Sequence, residues 1–153
     1  MSDTVNKWKE RSQYDLETAK VMLEGGRFLY VLFCCQQSIE KALIIQQTGS
    51  LAPRIHNLLQ LAELAGLEMP LERKRILGEL TAYYIQSRYP EEIQEMSSAI
   101  RREMAEKKLK QTEVEIQWLF SLTKSKSSGY KRHSSTMQVS CTCAVQTALR
   151  SVM

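Results

Sequence analysis

Between Arg27 and Thr48 the chain carries Phe28, Leu29, Val31, Leu32, Cys34, Cys35, Ile39, Ala42, Leu43, Ile44 and Ile45 in one uninterrupted helical stretch. At 3.6 residues per turn these positions cover more than one side of a helix. A helix that apolar is central in a bundle, or contacts both its own core and a partner. This one segment fixes the class of fold: further helices must surround it.

The rest of the chain supplies them. A first helix starts after Ser2-Asp3-Thr4, residues suited to the N-cap, and its buried stripe is Trp8, Ser12, Leu16, Ala19 and Leu23. Gly25-Gly26 ends it, because glycine readily takes the left-handed conformation that closes a helix. Thr48-Gly49-Ser50 and Pro53 separate the apolar second helix from a short third one, about His56 to Ala65. A fourth runs from Pro70 or Leu71 to Ser87, with Ile76, Leu80 and Tyr83 or Tyr84 inward. Pro90 then opens a fifth that continues to about Leu122, with Ile93, Met96, Ile100, Met104, Ile116, Leu119 and Phe120 inward and a solvated stretch around Lys107–Lys110. The expected fold is all-α, an up-and-down bundle of four to five helices over residues 1–122.

Residues 123–153 change character. Ser, Thr and Lys dominate there and periodicity disappears, as in a disordered tail. The tail holds Lys124, Lys126, Lys131, Arg132 and Arg150 and no acidic residue, whereas the remainder has 16 basic and 17 acidic residues. The net charge of +4 therefore belongs to the tail, and it argues nothing for nucleic-acid binding by the bundle. No apolar run approaches the roughly 18 to 20 uninterrupted residues of a membrane span, and Met1–Glu10 lacks the apolar region of a secretory signal. A cytoplasmic protein without a membrane segment is expected, its four cysteines held as thiols. Cys141-Thr142-Cys143 with His133 does not have a zinc spacing, and no cofactor motif occurs, so neither metal nor cofactor is expected.

Chemistry concentrates at the helix break. Arg88 ends one helix, Tyr89 follows, and Pro90-Glu91-Glu92 starts the next. An arginine beside the open N–H groups of a new helix is suited to an anion or phosphate. It also suits a structural role, capping its own helix or pairing with Glu91 or Glu92. Glu40-Lys41 sits inside the apolar second helix, where charges need partners. Glu40 is expected in a polar clasp with Arg88 or Tyr84, and Lys41 is a candidate for the Arg88 cleft. His56 opens the short helix as a general acid–base candidate or as a packing residue.

Several motifs in order resemble one family. They are Trp8, Asp15-Leu16, Met22-Leu23 and Gly26, then Gln37-Ser38-Ile39-Glu40-Lys41-Ala42-Leu43, then Arg54-Ile55-His56-Asn57-Leu58, then Tyr83 through Glu91 with Arg88-Tyr89-Pro90 inside it. Over residues 5–122 the chain resembles HEPN domains (higher eukaryotes and prokaryotes nucleotide-binding). The resemblance implies a helical bundle, commonly a homodimer, and in many prokaryotic members a minimal nucleotidyltransferase partner in a toxin–antitoxin pair. Active members are metal-independent RNases whose signature is an Arg, four to six residues, then a His, at the dimer cleft. Arg88 matches that Arg, but Tyr89 to Glu95 contain no His, and the tyrosine that a partner would modify has no counterpart. An arginine alone binds phosphate and transfers no proton. The resemblance thus implies a nucleotide- or RNA-phosphate-binding protein using Arg88, Lys41, His56 and Tyr89. One alternative is an RNase toxin with a variant site built from Arg88 and His56. Another is an oligomerisation module without ligand.

Overall fold

The computed structural model describes residues 3–47 and 52–128. Among them are six helices and no strand: α1 (Asp3–Glu24), α2 (Phe28–Gln46), α3 (Leu58–Leu64), α4 (Leu71–Gln86), α5 (Pro90–Ala99) and α6 (Arg102–Ser128). The protein is an all-helical bundle, as its periodicity requires.

Helix α2 lies at the centre, packed against α1, α3, α4, α5 and α6. Leu32, Ile39 and Leu43 on it are fully buried, together with Leu58, Leu61, Leu77, Leu80 and Leu119 from its neighbours. By length and composition alone α2 could cross a membrane, but most of it is buried inside the bundle, where its apolar sides are covered by the surrounding helices. Helix α1 approaches α2 closely because two serines face each other: Ser12 Oγ donates to the Ser38 carbonyl at 2.7 Å and Ser38 Oγ to the Ser12 carbonyl at 2.6 Å. Both hydroxyls are buried and bonded, so the small residues bring the backbones together without stranding a polar group.

Two expectations are corrected. The helix opened by Pro90 does not run to Leu122 but breaks at Ile100, which takes extended backbone (φ −83°, ψ 113°) before α6 begins. Neither Gly nor Pro marks this break. Ile100 is buried whereas no residue of α5 is, so burial of one β-branched side chain turns the chain inward. The stretch around Lys107–Lys110 is also not uniformly solvated. Lys108 and Leu109 are buried, and Lys108 Nζ pairs with Glu79 of α4. A second α4–α6 clasp joins Arg73 to Glu115 at 2.7 Å, with the guanidinium 4.3 Å over the Trp118 ring. Helix α6 itself passes the expected boundary at 122: Gln46 Nε2 donates to the Leu119 carbonyl at 2.7 Å and to Thr123 Oγ1 at 2.8 Å. Most of the expected tail, including His133, Cys141 and Cys143, lies outside the described residues.

Candidate functional site

Three elements meet on Tyr84. It is the inward residue of the Tyr83-Tyr84 pair, buried near the C-terminus of α4. Phe33 of α2 stacks on its ring at 5.3 Å with an interplanar angle of 28°. His56 approaches the ring at 5.4 Å, tilted by 43°. Arg88, one turn beyond Tyr84, lies 4.7 Å over the same ring and donates to the Tyr84 hydroxyl. The Arg88 side chain is thereby laid along an aromatic face, which restricts it while leaving it exposed.

His56 is set by its own neighbours. It stands just before α3, whose N-cap is Asn57; the Asn57 carboxamide accepts from the N–H groups of Leu59 at 3.0 Å and Gln60 at 3.3 Å. The start of α3 is pinned to α4 by Thr81, whose Oγ1 accepts from Leu58 N at 3.2 Å. Beneath the ring, Glu40 Oε2 is 3.1 Å from His56 Nδ1. Gln36, fully buried one turn earlier on α2, donates through Nε2 to the His56 carbonyl at 2.9 Å and to Glu40 Oε2 at 3.0 Å. An ionised carboxylate only accepts, so this pairing places a proton on Nδ1 and leaves Nε2 as the free ring position. The imidazole is about half exposed, 47% against 12% for the Glu40 side chain.

The structure therefore brings Arg88, His56, Tyr84 and Glu40 into one cluster and leaves Lys41 out of it. Lys41 turns toward α1, where it pairs with Asp15 at 2.5 Å and reaches the Gln37 carbonyl at 3.3 Å. The Glu40 clasp closes on His56 and Gln36 instead of on Arg88 or Tyr84. Arg88 forms no ion pair with Glu91 or Glu92 among the described residues, so the acidic first turn of α5 does not neutralise it. Tyr89 is exposed and serves as the N-cap residue of α5, its carbonyl accepting from Glu92 and Ile93 at 3.1 Å. Gln36 and Phe33 escape a reading of the sequence. The one signal for Gln36 is spacing: it is four residues before Glu40 and so its neighbour on the helix face.

The family model for the HEPN domain matches residues 5–124, more than three quarters of the chain. The chain belongs to the HEPN domain family. Its architecture agrees with a solved structure, the crystal structure of TT1696 from Thermus thermophilus. The TM-score is 0.66 at 23% sequence identity, and the match covers 78% of this chain and 98% of that one. At that identity the likeness concerns the fold. Among proteins of curated function, none matches. Within this HEPN domain α4 supplies the tyrosine under Arg88, the turn after α4 supplies Arg88 itself, α2 supplies the carboxylate, and the segment before α3 supplies the histidine.

Proposed function

We propose that this HEPN protein is a cytoplasmic homodimer that binds the phosphate of a nucleotide or RNA through Arg88, and that it works with a nucleotidyltransferase partner in a toxin–antitoxin type pair. The observation that carries the ligand reading is the convergence of Arg88 and His56 on the single ring of Tyr84. A guanidinium offers a planar fork for phosphate oxygens, and the imidazole beside it adds a further polar contact. Tyr89, exposed next to Arg88, is available at the rim. The motif resemblance supports the partner and the homodimer.

The test is thermal denaturation with a nucleotide series. A ligand that binds only the native state raises the melting temperature. The rise is expected for the wild-type protein and is lost in Arg88→Ala. A protein whose melting temperature no nucleotide moves is instead a helical oligomerisation module. Purification after co-expression with the product of the neighbouring gene tests the pairing, and recovery of the HEPN protein alone refutes it.

One observation favours a second reading, metal-independent RNA cleavage. Glu40 engages Nδ1 of His56, which leaves Nε2 as the ring's acceptor nitrogen. That nitrogen is suited to take the proton of a ribose 2′-hydroxyl as its oxygen attacks the adjacent phosphorus, with Arg88 against the phosphoryl oxygens. The bond to the 5′-oxygen breaks, water protonates the leaving oxygen, and the products are a 2′,3′-cyclic phosphate and a 5′-hydroxyl. Growth arrest on expression, relieved by either Arg88→Ala or His56→Ala, is the expected sign. Normal growth at high expression rejects cleavage and leaves binding intact.

A further inference from the structure

A second concavity lies outside the Arg88 cluster. The turn between α1 and α2 and the exposed helix α5 enclose a cavity of about 120 Å³, with Arg27, Phe28, Tyr30, Ile93 and Ser97 in its lining. Tyr30 is 58% exposed and Ile93 36%, so two large apolar side chains stand at the cavity without burying themselves against the bundle. No carboxylate lines it. Two cations attend it instead. Arg27 makes no side-chain cap bond, and the Arg102 guanidinium lies 5.3 Å over the Phe28 ring.

The cavity and the Arg88 cluster are linked through both of their walls. On α2, Tyr30 precedes Phe33 by three residues, about 4.5 Å of helix rise, and Phe33 stacks on the tyrosine that carries Arg88. On α5, the Ile93 N–H bonds to the carbonyl of Tyr89, the residue after Arg88. The hollow and the cation for phosphate are thus joined through Phe33 and Tyr84 on one side and through Tyr89 on the other.

We infer that the Tyr30–Ile93 hollow is a nucleobase subsite, and that a nucleoside monophosphate unit binds with its phosphate on Arg88 and its base against Tyr30. This rests on the reading of Arg88 as a phosphate site. Stacking on an aromatic ring accepts every base, because each has a π-face. The Ser97 hydroxyl, donor and acceptor both, and the Arg27 guanidinium, donor only, meet the polar edge of the base. Positive charge at Arg27 and Arg88 beside a wall free of carboxylates matches an anionic ligand, while Arg102 is paired with Glu106 at 3.9 Å.

Titration calorimetry with inorganic phosphate, adenosine monophosphate and a trinucleotide of adenosine decides the matter. Adenosine monophosphate is expected to bind at least about tenfold more tightly than phosphate. Tyr30→Ala, a change at an exposed position, should weaken it roughly 5- to 150-fold, the worth of one stacked base, and leave phosphate binding and melting temperature unchanged. Ser97→Phe, which fills the hollow from α5, should reproduce that loss. Arg88→Ala should abolish binding of all three probes. Tighter binding of the trinucleotide assigns the subsite to an RNA strand; equal binding assigns it to a free nucleotide. If phosphate binds but the nucleotide binds no better, or if Tyr30→Ala leaves nucleotide affinity intact, the subsite is refuted and the Arg88 reading stands. If neither phosphate nor nucleotide binds, both are refuted.

Discussion

Replacing Gln36 by leucine tests whether the cluster around His56 is held by polar pairing or by packing alone. The two side chains are close in size, and the position is fully buried, so the substitution removes the amide with little change of shape. Two acceptors lose their donor: the His56 carbonyl, at 2.9 Å, and Glu40 Oε2, at 3.0 Å. Each buried group left unsatisfied costs about 1 to 3 kcal/mol. The Glu40 oxygen still faces His56 Nδ1, which puts its share at the low end. The added apolar surface of leucine offsets about 1 kcal/mol. The net loss is then about 1 to 3 kcal/mol, or about 2 to 12 °C in melting temperature for a domain of this size. Melting followed by circular dichroism measures it. A Gln36→Leu protein that melts within about 1 °C of wild type would show that the amide does not hold the segment before α3, and the account of how His56 is positioned would fail with it.

Other consequences are as direct. Glu79 has its carboxyl pulled below the usual range, first by the hydrogen bond from Lys108, so it stabilises the fold above about pH 4.5 and that share is lost as pH falls through its lower folded value. Acid titration of Lys108→Met should show a shallower loss of stability than wild type; an unchanged profile rejects the pairing. Burial pushes the Cys34 thiol up to about 11 and the Cys35 thiol up to about 12. In a Cys141→Ser, Cys143→Ser background, alkylation at neutral pH should therefore be slow when folded and fast in denaturant, and equal rates in both states contradict it. Deleting residues 129–153 should leave the melting temperature unchanged, whereas ending the chain at Leu122 removes the Thr123 partner of Gln46 and should lower it.

The sequence exposes the frame of this fold because the frame is made by periodicity. The apolar excess of residues 28–45 could only be satisfied by a helix with neighbours on several sides, and α2 has them. Pro90 and Gly25-Gly26 mark chain reversals through backbone chemistry that is local. The break at Ile100 escapes such reading because its cause is tertiary: an isoleucine finds the core, and nothing in its immediate neighbours forbids continuing the helix. Lys108 misleads for a similar reason, since its partner Glu79 is far away in the chain. At the site, Arg88, His56, Glu40 and Tyr84 are visible as residue types, but which of them touch depends on how α2, α4 and the segment before α3 cross. Lys41 shows the limit. It is adjacent to Glu40 in sequence, yet one step around the helix turns it toward Asp15.

Helix α5 buries none of its ten residues, and it meets the core through the partly buried Met96 and the buried Ile100 that ends it. Its backbone amides have little apolar cover to open against, so they belong to the part of the bundle where local unfolding requires the least free energy. In hydrogen exchange they should be among the earliest helical amides to be replaced by deuterium. Any occupant of the space between α5 and the α1–α2 turn would slow that exchange, so α5 is where a bound molecule registers first.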